Sequence, residues 1–270
     1  MPVRVASFVL VVLLLAGCGG ESESERVLPV PRAEVDPAAL ALVESAMDAH
    51  GSEVLDQAEL TFAFRGTPFM LRREGGQFRY ARTLTDSLGR TIEQVVDNDG
   101  VHWHIDGHEV SQLFETDQPL RSAETAVNSV AYFALLPLPL RDPAVQLRSL
   151  GPETIRGEPY ERVEVTFAQE GGGRDYTDRY LYWFHADRHT MDYLAYTYEL
   201  GANETGPNAT GSRFREVLRV QDVNGVRMQD YRNLTADVGE ALERYPTLYA
   251  ADSLRVVSEV VLDSVRVTPL

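Results

Sequence analysis

The spacing of apolar positions changes along the chain, and each change marks a different kind of element. Residues 8–15 form an unbroken apolar run, shorter than the ~20 residues a membrane-spanning helix needs. Asp36 and Pro37 then supply a capping acceptor and the residue best tolerated at a first helical position. Leu40, Val43 and Met47 follow at helical spacing and Gly51 closes the pattern, which predicts a helix over 36–50. From Glu59 the period drops to two, as Leu60, Phe62 and Phe64 alternate with Thr61, Ala63 and Arg65. Further strands are predicted around 69–71 and over 77–83, 91–96 and 101–105. Gly75-Gly76, Leu88-Gly89 and Asp97-Asn98-Asp99-Gly100 separate them as hairpin turns.

One helical interval interrupts this series. Ala126, Val127, Val130, Ala131, Phe133, Ala134 and Leu135 make 122–136 apolar over much of its circumference, so the helix should be covered by a sheet. Strands resume at 145–150, 161–167, 178–185, 191–200, 213–220 and 226–233, and a last one is expected over 254–267. Asn, Gly, Thr and Pro mark 201–211 as a loop, and Gly171-Gly172-Gly173 as a flexible connection. No repeat occurs at a solenoid or propeller period. The fold class is α+β: a strongly curved antiparallel sheet, expected as a half-barrel, with the N-terminal and mid-chain helices covering its concave face.

Composition and charge narrow the setting. The formal net charge is -16 and the pI about 4.8, so the surface repels nucleic acid. All 25 basic residues are arginine. The single cysteine, Cys18, ends Leu15-Ala16-Gly17-Cys18 directly after the apolar run. Arg4, the short apolar stretch and the small residues make 1–17 a secretory signal, and a lone cysteine at the cleavage point reads as a lipobox. Cys18 is then the expected site of lipidation, palmitate included, and the partner it implies is a membrane: each buried CH₂ contributes roughly 0.8 kcal/mol. With that thiol consumed, no disulfide remains, and the fold depends on its core. Acidic and proline-rich residues 18–35 read as a disordered tether, leaving 36–270 as one domain.

Several stretches carry a resemblance. Ala49-His50-Gly51, Thr61-Phe62-Ala63-Phe64-Arg65-Gly66, Met191-Asp192-Tyr193-Leu194-Ala195-Tyr196, Arg213-Phe214-Arg215-Glu216 and Asn224-Gly225-Val226-Arg227-Met228-Gln229-Asp230-Tyr231 resemble an uncharacterised family of Bacteroidota-type lipoproteins. The architecture resembles the lipoprotein-carrier superfamily of LolA, LolB and LppX, which implies a half-barrel. Gly19 after Cys18 resembles lipoproteins sent to the outer membrane, so the expected location is the cell envelope, on either face of that membrane.

Candidate chemistry is sparse. His102 and His104 share a strand face, and with His108, Asp106 or Glu109 they could hold a divalent metal. The same residues also fit a polar hairpin. His185 and His189 fall where a turn is expected. No nucleophile elbow, P-loop or dinucleotide fingerprint is present, so no catalytic residue, enzyme activity or cofactor is expected. Aromatic pairs on strands remain: Phe62 with Phe64, Phe78 with Tyr80, Tyr182 with Phe184, and Tyr193 with Met191. They are the candidate lining of an apolar cavity, which would take a lipid or the acyl part of a lipoprotein. A solid-core interaction module with a protein partner, and a metal-dependent enzyme built on the histidines, are the competing readings.

Overall fold

The period-two segments pair with their sequence neighbours, as short turns require. The computed structural model describes residues 35–169, 177–199, 210–236 and 240–270. The signal, Cys18, the tether up to residue 34, Gly171-Gly172-Gly173 and most of the 201–211 loop lie outside them. All elements described below fall in one of two compact units of the chain, Arg32–Leu270.

Helix α1 (Pro37–His50) and the short α2 (Ser52–Leu55) lead into β1 (Gln57–Phe64), β2 (Thr67–Glu74), β3 (Gln77–Thr85), β4 (Thr91–Asp97), β5 (Gly100–Ile105) and β6 (His108–Glu109). Helix α3 (Gln118–Leu135) follows, then β7 (Val145–Ile155), β8 (Glu158–Phe167), β9 (Tyr180–His185), β10 (Met191–Glu199), β11 (Thr210–Val223) and β12 (Val226–Thr235). The chain ends with α4 (Tyr245–Ala250), β13 (Arg255–Val260) and β14 (Leu262–Pro269).

Two seven-stranded antiparallel sheets result, ordered β14-β1-β2-β3-β4-β5-β6 and β13-β12-β11-β10-β9-β8-β7. Neither closes into a barrel. Where one curled sheet was expected, the expected strand 254–267 divides at Val261. Its first half pairs with β12 and its second half with β1. Beside the break, Asp230 on β12 accepts the Leu262 backbone N–H on its Oδ1 at 2.9 Å, which ties the start of β14 to β12.

Helix α1 begins as its sequence predicts. Asp36 accepts the Ala38 N–H at 2.9 Å as an N-cap, and its other oxygen accepts Ser149 N–H from β7 at 3.0 Å. The helix stops at Gly51, whose φ of 68° suits glycine. A Cβ there would lie 2.0 Å from the Gly225 carbonyl oxygen, so glycine also permits the turn between β11 and β12 to approach. Helix α3 packs against β3, β4 and β5. It does so through Ala123, Val127, Ala131 and Ala134, small side chains that let helix and sheet approach closely.

Two apolar clusters form. The larger joins α1, α3 and one face of each sheet, including Leu60, Phe62, Leu71, Val127, Val163, Tyr182, Phe184 and Leu194. The smaller lies on the other face of the second sheet, where Trp183, Leu181, Ala195, Phe214 and Leu234 meet Leu242, Tyr245 and Tyr249. Residues 242–250, unassigned by periodicity, supply that second cover.

Candidate ligand site

Alternation along β9 divides its aromatic residues between the two clusters: Tyr182 and Phe184 enter the larger, Trp183 the smaller. Phe62, Phe64, Phe78 and Tyr80, predicted to line a cavity, also belong to the larger cluster or pack against it. The deepest of them are closed against neighbouring rings. Phe62 stacks on Phe69 at 5.4 Å, Phe78 lies 4.8 Å from Tyr80, and Tyr182 is 0% exposed. Tyr193 departs from the expectation. A β-bulge between Met191 and Tyr193 inserts Asp192 into β10, so Met191 stays in the larger cluster while Tyr193 turns to the smaller. The expected Met191–Tyr193 face does not exist.

A different set of rings forms the accessible edge of the larger cluster. Tyr132 and Phe133 come from the last turns of α3, Phe167 from β8 and Tyr196 from β10, and all four are only partly buried. They are linked ring to ring: Phe133 to Tyr196 at 5.5 Å, Tyr132 to Tyr180 at 5.8 Å, Phe167 to Tyr180 at 5.8 Å, and Tyr180 stacked on Tyr196 at 5.4 Å. The hydroxyls of Tyr132 and Tyr182 share a hydrogen bond of 2.8 Å, which satisfies the polar tip of the deepest ring.

At the edge of this seam lies Arg215. Its guanidinium carbon sits 3.5 Å from the centroid of Phe133 and 5.3 Å from that of Tyr196, and its Nη2 donates to the Tyr196 hydroxyl at 3.2 Å. The side chain is 6% exposed, and Nε and Nη1 have no hydrogen-bond partner. Burying an unpaired ion costs several kcal/mol, and a cation–π contact returns only about 0.5–2 kcal/mol. Arg213, two residues earlier on β11, lies 4.9 Å from the Tyr198 ring and donates only to neutral oxygens, those of Ser212 and Thr235. Among the described residues neither arginine has a carboxylate.

A second group of buried donors continues toward α1. Tyr231 donates to Gln229 Oε1 at 2.9 Å, which leaves Gln229 Nε2 without a partner, as is Nε of Arg227. His50, 1% exposed at the end of α1, accepts the Met191 backbone N–H on Nε2 at 3.0 Å. Its proton therefore belongs on Nδ1, which has no acceptor. Burial first, then the charge of Arg227, push His50 down to about 4, against a smaller opposing effect of Asp192. The imidazole is neutral at pH 7. Periodicity marked His50 only as the end of a helix.

The other histidines are held as turn and edge residues. His102 has Glu109 Oε1 at 3.0 Å from Nδ1 and Asp97 Oδ1 at 3.2 Å from Nε2, and Glu109 foremost raises its affinity for a proton. His104 points toward Glu93 at 3.9 Å, and His108 is exposed on β6. Among the described residues no group of three histidine, cysteine or acidic side chains could hold a metal, so the candidate set His102, His104 and His108 does not assemble. His185 accepts the Asp187 and Arg188 N–H groups on Nδ1 and faces Glu158 with Nε2, which ties the β9–β10 turn. No helix among the described residues is long and apolar enough to cross a membrane.

Residues 115–261, just over half of the chain, match the model of DUF6503, described as a family of unknown function. No curated protein matches in sequence. Among solved structures, a DUF1329 family protein from Desulfovibrio piger is 11% identical, with 84% of this chain and 92% of its own covered and a TM-score of 0.36. The Mycobacterium tuberculosis lipoprotein LppX is 14% identical, covering 64% and 99%, with a TM-score of 0.25. MucB is 11% identical, covering 83% and 100%, with a TM-score of 0.22. At such scores none of the three assigns a site or a ligand to this chain.

Proposed function

The chain belongs to DUF6503, and from its own geometry we propose that it is a non-catalytic, lipid-anchored protein of the cell envelope that binds an apolar ligand. The anchor is Cys18, and the membrane is the outer membrane. The ligand is a lipid or an acyl chain, held in a half-barrel interior whose cover is α3. The observation that carries this reading is the aromatic seam between α3 and the second sheet. Tyr132, Phe133, Phe167 and Tyr196 remain partly exposed there although they adjoin the largest core of the chain. An alkyl chain laid along those rings gains about 25 cal/mol for each Å² of apolar surface it removes from water. Entry requires α3 to shift at its C-terminal end, where Phe133 meets Tyr196.

Photo-crosslinking in cells with a diazirine-bearing long-chain fatty acid tests the proposal on the full chain. Label is expected on peptides from α3 and from β9–β10, and a folded Phe133→Asp variant should lose it. Label confined to other segments, or absent altogether, overturns the assignment.

A second reading is a solid-core interaction module, and the closure of Tyr182 and Phe184, 0% and 1% exposed, favours it. Absence of labelling together with recovery of one protein partner by the same anchored chain would support that alternative.

A further inference from the structure

We infer that Arg215, with Arg213 beside it, receives an anionic head group, a carboxylate or a phosphate, from a ligand whose chain lies along the aromatic seam. This rests on the apolar-ligand reading and names the ligand class: an amphipathic acid rather than a neutral lipid.

The arginines elsewhere set the contrast. Arg219 faces Asp230 at 2.6 Å, Arg232 faces Glu216 at 2.8 Å and Arg73 faces Asp56 at 2.9 Å. In a chain of net charge -16, carboxylates for pairing are abundant. Arg215 is more buried than any of these three, yet Nε and Nη1 have no acceptor and the third nitrogen meets only a phenol. Its guanidinium carbon lies 3.5 Å from the Phe133 ring centroid, a cation–π contact that uses none of its N–H donors in a hydrogen bond. Strand register places Arg213 opposite Tyr196 and Arg215 opposite Leu194, so both cations line the face that carries the seam. Positive charge, free donors and low local dielectric together favour an oxyanion, and the adjoining rings favour a chain attached to it.

The test measures binding of decanoate, decyl phosphate, decanol and inorganic phosphate to the full chain, by calorimetry at one fixed concentration of non-ionic detergent. The unaltered chain should bind the two charged amphiphiles more tightly than decanol. In Arg215→Gln the ratio of charged-amphiphile to decanol affinity should fall at least about tenfold; Arg215→Lys should retain part of it. Circular dichroism establishes that each variant is folded, and Arg215→Met substitutes for a glutamine variant that is not. Equal binding of decanoate and decanol to the unaltered chain, or a preference that survives both substitutions, overturns the inference but leaves the apolar site standing. Binding of inorganic phosphate alone, lost in Arg215→Gln, would keep the anion site and refute the apolar reading. No binding of any probe refutes both.

Discussion

Both faces of the second sheet are aromatic, and they differ in how their polar groups end. On the face under α4, Trp183 donates to Glu153 at 2.7 Å, Tyr245 shares a hydrogen bond of 2.7 Å with Ser212, and Tyr160 reaches Asp192 at 3.2 Å. Tyr249 donates to Glu216, which also pairs with Arg232. On the face shared with α1 and α3, Arg215, Arg227, Gln229 and His50 keep donors without acceptors. Aromatic content does not separate a packed core from a ligand site; the satisfaction of its polar tips does. The first face is a structural cover, and the second is where binding is proposed.

Four measurements set the two faces apart. The largest expected effect is on the satisfied face. Trp183→Ala removes the largest fully buried side chain and should cost about 3–5 kcal/mol in denaturant unfolding. If the variant stays folded, its probe binding should be unchanged, and a selective loss of binding would contradict the division of labour.

Next comes acid. An unfolded histidine takes its proton near 6.5 and His50 in the fold only near 4, so the unfolded state binds the extra proton between those values. The stability His50 contributes is therefore full above about pH 6.5 and is lost as pH falls toward 4, by roughly 3 kcal/mol at the shift of 1.36 kcal/mol per unit. His50→Gln should flatten the stability profile over that window. An identical slope in variant and parent would show that His50 is not the buried neutral group described.

The third pair of substitutions sets the faces directly against each other. Glu216→Leu strips partners from Arg232 and Tyr249 and should destabilise by about 2 kcal/mol. Arg215→Met removes an unpaired buried cation and should leave the ligand-free chain equally stable or about 1 kcal/mol more stable. Destabilisation by Arg215→Met as large as that by Glu216→Leu would make Arg215 a structural residue.

The smallest effect belongs to Tyr132→Phe. It leaves the Tyr182 hydroxyl without the partner it has at 2.8 Å and should cost about 1 kcal/mol in thermal unfolding. Neutrality would show that water already reaches the seam.

Local rules made most of the elements legible. Asp36-Pro37 and Gly51 delimit α1, and the paired glycine and Asp97–Gly100 turns fall between β2, β3, β4 and β5 as expected, because capping and positive φ are properties of a few adjacent residues. Phe62, Phe64, Phe78, Tyr80, Tyr182 and Phe184 were legible as one apolar side of the strands. The string Arg213-Phe214-Arg215-Glu216 was visible too, but its alternation conceals opposite fates: Phe214 in the satisfied cluster, Arg215 among unfilled donors.

Three features were decided only in the folded molecule. The bulge at Asp192 turned Tyr193 away from Met191, because a bulge depends on pairing with β9 as well as on β10 itself. The final strand passed from β12 to β1 at Val261, where Asp230 holds the Leu262 N–H in a contact across 32 residues. Whether a buried arginine meets a carboxylate depends on which distant strands surround it. Near neighbours and composition were enough for most of the strands, for α1 and α3, and for the acidic, single-cysteine character of the chain. Tertiary structure decided which aromatic face is closed and which keeps donors unfilled, since hydrogen-bond satisfaction is a property of contacts between segments far apart in the chain.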